Sequence, residues 1–158
     1  MTWRGSTDTK DRFFAALVYL FPLYDALSLG SFLFNNIPAL LPVQDFLSLL
    51  LTPIAVIYGL IPGGWGSLVL FFVLFLAVVR NEKIKHFIRF NTMQAILIDI
   101  AVTLIQIILQ VVGGLGLIGS VAFIVATAAC LFSMFQSALG RYAEIPGISQ
   151  TVYDQVPR

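Results

Sequence analysis

Four long stretches of this chain are almost free of charge, and no other feature constrains its fold as tightly. Residues 13–34 contain one charged side chain, Asp25; residues 46–79 contain none; residues 90–112 contain only Asp99; residues 115–139 contain none. A helix needs ~20 apolar residues to cross a hydrocarbon core of roughly 30 Å. In lipid each backbone N–H and C=O must be satisfied within the protein, and a helix does this within its own segment. Of the 158 residues, 59% are hydrophobic and 11% are charged, about half the charge usual in soluble domains. Too little polar surface is left to cover a compact soluble fold. The sequence predicts an all-α polytopic membrane protein, one integral-membrane domain over residues 1–158, with the lipid bilayer as solvent for much of it.

The number of crossings does not follow from hydropathy. Residues 46–79 make 34 positions, too many for one helix and barely enough for two with a turn. Pro62-Gly63-Gly64 divides them, and Pro53 lies inside the first half. Charge decides the count. The nine basic residues fall in three groups: Arg4, Lys10 and Arg12; Arg80, Lys83, Lys85 and Arg89; Arg141 and Arg158. Residues 35–64 and the turn 113–116 hold no Lys or Arg. Short basic segments stay on the cytoplasmic side or its equivalent. Four spans put all nine on one side, whereas five split them. The expectation is four transmembrane helices at about 13–34, 62–80, 90–112 and 116–139, with both termini and the 80–89 segment co-sided. Between the first and second spans, a Pro-broken re-entrant or interfacial helix is expected at about 46–61. Pro38, Pro42, Pro53 and Pro62 suit such a segment, because irregular backbone survives at membrane depth where protein or water satisfies it.

Several classes of function are set aside by composition. A net charge of +1 and the lack of a Lys/Arg cluster interleaved with aromatics argue against nucleic acid as a partner. Cys130 is the single cysteine, so neither a disulfide framework nor a thiolate metal site is expected. His86 is the single histidine, and no metal or cofactor is expected. Only twelve residues precede the first apolar stretch, and they include Asp8 and Asp11. The first helix is therefore expected to be retained rather than removed as a targeting segment.

The polar residues inside the spans are the candidates for function. Thr92, Asp99, Thr103, Gln106 and Gln110 fall at spacings of seven, four, three and four, which places them on one helical face. A carboxylate at mid-membrane depth costs several kcal/mol on most estimates and marks a functional position by default. The plainer reading of the stripe is interhelical hydrogen bonding that holds the bundle together. In the first span, Tyr19, Pro22, Tyr24, Asp25 and Ser28 stand close together. There Pro22 removes a helix hydrogen bond, and three readings stand for Asp25: it pairs with a basic residue, faces Asp99 across the bundle, or reaches a hydrated interface. In the fourth span Gly119, Ala122, Ala126, Cys130, Ser133, Ser137 and Gly140 recur at three- and four-residue spacing. Such a small-residue face is a packing seam, internal or between protomers.

Two apparent motifs dissolve on inspection. Gly114-Leu-Gly116-Leu-Ile-Gly119 matches a dinucleotide fingerprint, but it lies between two lipid-length helices and no acid follows until Glu144; a tight turn explains it. Arg80, Lys83, Lys85, His86 and Arg89 form a juxtamembrane basic segment that suits anionic head groups, though fixing topology also accounts for it. No Ser/His or Cys/His constellation is present for nucleophilic catalysis, so an enzyme is not expected.

Four segments carry a family resemblance. They are Arg12 to Leu27 (RFFAALVYLFPLYDAL), Val79-Arg80-Asn81, Arg89 to Ile100 (RFNTMQAILIDI) and Tyr142 to Ser149 (YAEIPGIS). Together they resemble the Tic-twenty family, the core membrane subunits of the chloroplast inner-envelope protein translocon and their cyanobacterial and plastid-encoded relatives. The resemblance runs from Arg12 to Pro157, with Arg89 to Ile100 and the Glu-Ile-Pro segment its most specific parts. It implies four membrane helices, a role in a protein-conducting path, and other membrane-protein subunits or a homo-oligomer as partners. It brings no catalytic residues. The short N-terminal segment points to a cyanobacterial or plastid-encoded member, in a cyanobacterial inner (plasma) membrane or plastid inner envelope, with the basic side cytoplasmic or stromal. The polar positions it singles out are Tyr24, Asp25, Arg89, Asn91, Gln94 and Asp99.

Three other readings compete. A small ion- or proton-coupled carrier would use Asp99 as its titrating site, although no inverted repeat is evident. An intramembrane aspartyl protease would pair Asp25 with Asp99; its Gly-x-Gly-Asp motif is absent, since Asp99 follows Leu97-Ile98. A non-catalytic assembly factor is not separable from a translocon subunit by sequence. If translocation is right, four helices are few to enclose a polypeptide, which implies partners or self-association along the 119–140 seam.

Overall fold

The computed structural model describes residues 7–113 and 116–156. Arg4, Gly114 and Arg158 lie outside the described residues. Every regular element among those described is helical: α1 Thr9–Leu17, α2 Leu20–Ala26, a 3-10 turn Leu27–Gly30, α3 Ser31–Asn36, α4 Leu41–Leu50, α5 Thr52–Gly59, α6 Gly66–Leu74 continued by a π turn Phe75–Val79, α7 His86–Val112, α8 Leu117–Ala138 and α9 Ile148–Gln155.

Three of these runs are long and apolar enough to cross a membrane: Thr9–Asn36, His86–Val112 and Leu117–Ala138, of 28, 27 and 22 residues. They correspond to the first, third and fourth expected spans. The first is not a straight helix. Pro22 has no N–H to give the Val18 carbonyl, which accepts instead from Phe21 at 3.3 Å, and the run breaks at Val18–Tyr19. Its start is set by the Asp11 carboxylate, which accepts the Asp8 backbone N–H at 2.8 Å and satisfies one of the orphan donors of a first turn.

The stretch between the first and third spans divides differently from the sequence-based expectation. The expected helix at 46–61 is two helices, α4 and α5, because Pro53 at the second position of α5 leaves the Leu49 carbonyl without its i+4 donor. A short 3-10 turn at Pro38–Leu40 leads into α4, and the two arms Pro38–Leu50 and Thr52–Gly59 meet at 55°. The expected span at 62–80 is a helix of Gly66–Val79, shorter than a full crossing. The bent pair is long and apolar enough to count as one span instead.

α7 is the central element and packs on α1, α2, α8, α9 and the Phe75–Val79 turn. At one end of the bundle the Lys85 ammonium reaches Asp8 at 2.9 Å and Asp11 at 2.6 Å. At the same end His86 contacts the Tyr142 hydroxyl at 3.1 Å and the Val156 carbonyl at 3.2 Å. The beginning of the first helix, residues 80–89 and the C-terminal segment therefore share one end. At the other end Phe32 stands beside Gly116.

The small-residue seam of α8 is internal. Gly119, Ala126, Cys130, Ser133 and Ser137 are buried, and α8 packs on α1, α2 and the Leu27–Gly30 turn. A methyl group on Gly119 would stand 3.2 Å from the Leu29 carbonyl oxygen. Ala122 is half-buried and instead lines a groove of about 550 Å³ between α7 and α8. The outer faces of the long helices carry Ile107, Ile108, Val111, Leu117, Val121 and Val125, all exposed, as a lipid-facing surface requires.

The hairpin of α5 and α6 depends on one close approach. A Cβ on Gly66 would lie 2.7 Å from the Tyr58 Cα, so any side chain there forces the two helices apart. Gly66→Val is expected to destabilise the protein by about 1–3 kcal/mol, the usual scale of overpacking. Thermal unfolding in detergent checks this, with Gly59→Val, which meets no neighbour within 4 Å, as the control.

Candidate functional site

The polar residues of α7 sort into two faces with different partners. Around a helix of 100° per residue, Thr92, Asp99, Thr103, Gln106 and Gln110 share one side, whereas Asn91 and Gln94 point some way round from it.

The first face meets α2 and the α5–α6 hairpin. Asp25 is half-buried and Asp99 is 4% exposed. The Asp25 Oδ2 accepts from the Tyr58 hydroxyl at 2.9 Å and from the Ser67 hydroxyl at 2.9 Å. Gln106 donates through Nε2 to the Asp25 main-chain carbonyl at 2.5 Å and to the Ser28 hydroxyl at 2.8 Å. That carbonyl lies at the junction of α2 with the 3-10 turn, where the helix ladder changes register. Asp99 Oδ1 is buried and has no hydrogen-bond partner. Tyr24 is half-buried and packs edge-on against Tyr58, ring centroids 5.1 Å apart. Thr103 is half-buried, Gln110 is exposed, and Thr92 is buried at the wall of a 410 Å³ apolar cavity between the first span, α5, α6 and α7.

The second face meets α1, α8 and the C-terminal segment. Asn91 Oδ1 accepts from the Tyr19 hydroxyl at 2.8 Å and the Ser137 hydroxyl at 2.7 Å, while Asn91 Nδ2 donates to the Phe87 carbonyl at 2.8 Å. Gln94 Nε2 donates to Ser133 at 3.2 Å, and Gln94 Oε1 accepts from Ser149 at 3.2 Å. Ser149 Oγ in turn accepts the Ile145 N–H at 2.6 Å. Asn91, Gln94, Ser133 and Ser137 are all fully buried. The arrangement ties the start of α9 to the middle of the bundle through satisfied polar groups, as a dry interior demands. Arg89 lies on the same end, buried, with Nε donating to the Val79 carbonyl at 2.9 Å.

The seam residues and the polar face thus belong to one network: Ser133 and Ser137, chosen from the sequence as small packing residues, are hydrogen-bond partners of the α7 amides. Tyr58 and Ser67 were not foreseen as site residues. The signal was present, since apart from Trp65 they are the hydrogen-bonding side chains in the otherwise apolar run 54–79. The Lys85 tether is electrostatic: Asp11, followed by Asp8, holds the Lys85 ammonium above the usual lysine value.

Asn91→Ala would leave the Tyr19 and Ser137 hydroxyls without their acceptor. An unsatisfied buried group costs about 1–3 kcal/mol, so a loss in that range or above is expected. Gln110→Ala, at an exposed position, is expected to change stability by no more than about 0.5 kcal/mol. Unfolding in mixed detergent micelles, followed by circular dichroism, compares the two.

The chain matches known proteins over almost its full length. The family model described as "Chloroplast import apparatus Tic20-like" matches residues 8–152. A "Tic20 family protein" of Synechocystis sp. is 45% identical, over 99% of this chain and 99% of that protein. "Protein TIC 20-II, chloroplastic" of Arabidopsis thaliana is 27% identical over 99% of this chain and 78% of its own length. "Protein TIC 20-I, chloroplastic" of the same plant is 29% identical over 92% of this chain, which spans 54% of it. With its helices, its length and these relatives, the chain is an integral membrane protein of the Tic20 (Tic-twenty) family, of the cyanobacterial or plastid kind.

Proposed function

We propose that the protein is a membrane subunit of a protein-translocating or protein-inserting complex, and that Asp25, Ser28, Thr103 and Gln106 form the part of it that a moving polypeptide touches. The observation that carries this reading is the incomplete cover of these groups. Asp25, Thr103 and Gln106 are half-buried and Ser28 is exposed, midway along helices whose other outward faces are apolar. Beside them stands the α5–α6 hairpin, whose second arm, Gly66–Val79, is too short for a full crossing. A polar strip at that depth, beside a thin wall, offers hydrogen bonds to a peptide backbone that lipid does not. The chloroplast relatives are named as import components, and the strip agrees with such a role. Complete enclosure of a polypeptide needs more helices than one copy supplies, so other subunits belong to the path.

The topology that suits this role has four net crossings with both termini and residues 80–89 on the cytoplasmic or stromal side. The chain leaves the far end after Asn36 and regains the basic end by Val79, next to Arg89. The bent α4–α5 pair and Gly66–Val79 therefore make one crossing between them. Lys83→Cys in intact membranes is expected to react with a membrane-impermeant thiol reagent only from the cytoplasmic or stromal side; reaction from the other side overturns the topology.

An intramembrane aspartyl protease would have Asp25 and Asp99 share a proton. Against it, Asp25 Oδ2 is engaged by two hydroxyls, Asp99 is buried, and neither the α7–α8 groove nor the cavity beside Thr92 reaches either acid. The subunit reading is tested by a photo-crosslinking amino acid at Thr103, with Val111 as a lipid-facing control. A secretory or membrane precursor arrested in transit is expected to crosslink at Thr103 and not at Val111. Equal crosslinking at the two, or none at Thr103, overturns it.

A further inference from the structure

The 410 Å³ cavity beside Thr92 is apolar on every wall except for that one hydroxyl. Phe14 and Leu17 of α1, Ile57 of α5, Leu74 of α6 and Ile88 of α7 line it. Phe14, Leu17 and Ile57 are also exposed, so the cavity opens sideways, between α1 and α5, onto the lipid-facing surface. Water finds no polar partners on such walls and gains nothing by entering. The shape argues against a helix as occupant. Leu70 and Val78 both line the cavity, and eight residues of helix separate them by roughly 12 Å. Its volume over that length gives a cross-section of about 34 Å², against roughly 80 Å² for a helix 10 Å across. A single acyl chain suits so slender a space.

One end of the cavity lies at the basic end of the bundle. Val78 and Ile84 form its wall there, and the loop between them carries Arg80, Glu82 and Lys83, all exposed. The loop has a fixed shape. Asn81 Oδ1 accepts the Lys83 N–H at 3.1 Å, the Asn81 carbonyl accepts the Ile84 N–H at 3.0 Å, and Arg89 Nε holds the Val79 carbonyl at 2.9 Å. This turn sets Ile84 in the cavity wall and leaves Lys83 at the rim. Lys10 is exposed and stands one turn before Phe14 on α1, on the same helical face. Lys85 is engaged by Asp8 and Asp11. Among the described residues, the side chains of Lys10, Arg80 and Lys83 take part in no ion pair. Three cations therefore border the cavity against one loop acid, Glu82. The α7–α8 groove differs in this respect, since none of its lining residues stands beside a Lys or Arg in sequence.

We propose that this cavity binds an anionic glycerophospholipid, with one acyl chain between the first span and the α5–α6 hairpin and the phosphate at Lys10, Arg80 and Lys83. The chain enters from the bilayer past Phe14, Leu17 and Ile57. Apolar walls accept an acyl chain whatever its head group, so the walls give occupancy and the rim gives selection. A Lys or Arg at the membrane surface favours an anionic head group by about fivefold, and the three rim cations act on the same phosphate. The bound lipid fills the space between the first span and the hairpin, which no side chain of the protein fills. The inference is independent of the translocation reading, because its test uses no precursor.

Purified full-length protein in zwitterionic lipid nanodiscs provides the test. Phosphatidylglycerol and phosphatidylcholine carrying the same photoreactive acyl chain are added at equal low fractions, and labelled residues are mapped by mass spectrometry. Phosphatidylglycerol is expected to label the cavity, at Ile57 and Leu74, several-fold more than phosphatidylcholine does. At Val121 in the α7–α8 groove the two lipids are expected to label alike. Arg80→Gln combined with Lys83→Gln, both on the exposed loop, is expected to bring cavity labelling by phosphatidylglycerol down towards the phosphatidylcholine level. Leu74→Trp is expected to fill the cavity and abolish labelling there by both lipids, with the groove unchanged. Circular dichroism checks the fold of that variant, and Val78→Phe replaces it if it misfolds. Equal labelling of the wild-type cavity by the two lipids, or a preference that survives the double variant, overturns the proposal. So does a photoreactive amino acid at Ile57 that captures a polypeptide segment instead of lipid.

Discussion

Asp25 sits where four helical segments converge, and the middle of the bundle is organised around satisfying it. A half-covered carboxyl among apolar helices is tolerable only with donors on its oxygens. Two such donors come from opposite arms of a hairpin, Tyr58 on α5 and Ser67 on α6, while Gln106 of α7 donates to the main-chain carbonyl of the same residue. Each partner lies in a different stretch of sequence, so the carboxyl fixes how those stretches pack. Without it, α5 and α6 would rest on the bundle through apolar contacts alone, and in lipid such contacts gain little over contacts with acyl chains.

A second network does similar work nearer the basic end, with neutral groups throughout. Asn91 and Gln94 use both ends of their amides, and their partners come from Tyr19 at the break between α1 and α2, from the first turn of α7, from α8 and from the start of α9. The difference in chemistry separates the two regions by behaviour. An amide–hydroxyl network has no ionisable member that titrates near neutrality, so it holds the same geometry across pH and serves as a fixed closure. Asp99 lies further along α7, with its buried Oδ1 unpartnered. One end of the bundle is thereby closed by satisfied polar groups, and the middle is not.

How much of this was legible in the sequence follows from which forces act locally. Charge-free length located the three long helices to within a few residues: the expected 90–112 and 116–139 are His86–Val112 and Leu117–Ala138. Lys85, Asp8 and Asp11 meet at one end of the bundle. The break at Pro22 was readable because proline acts through its own missing N–H. The helical spacing put Asp99 and Gln106 on one face, and Gln106 reaches the Asp25 carbonyl of α2. The stretch 38–79 was less legible. Pro53 did more than interrupt a helix, dividing it into arms at 55°, and a bend angle depends on what each arm packs against. Tyr58 and Ser67 were passed over because a lone hydroxyl in an apolar run looks like filler until its acceptor, distant in sequence, is known.

The fate of the small-residue stripe on α8 bears on what surrounds the protein. Read as a pattern, Gly119 to Ser137 offered a surface for another protomer or for a neighbouring helix of the same chain. The first span takes it, with the Leu29 carbonyl close upon Gly119 and the Tyr19 hydroxyl sharing Asn91 with Ser137. Self-association along that seam would require the first span to leave, exposing buried amides to lipid. A groove between α7 and α8 is lined by Ala101, Ala122, Val125 and Ala129 among others, without a charged side chain. Ala122 and Ala126 of the seam stand at its margin, so groove and seam are neighbouring faces of α8, and none of Asp25, Ser28, Thr103 and Gln106 lines the groove. A lateral contact there would leave the strip open, which is the arrangement a subunit needs if it is to be held in a complex and still meet a passing chain.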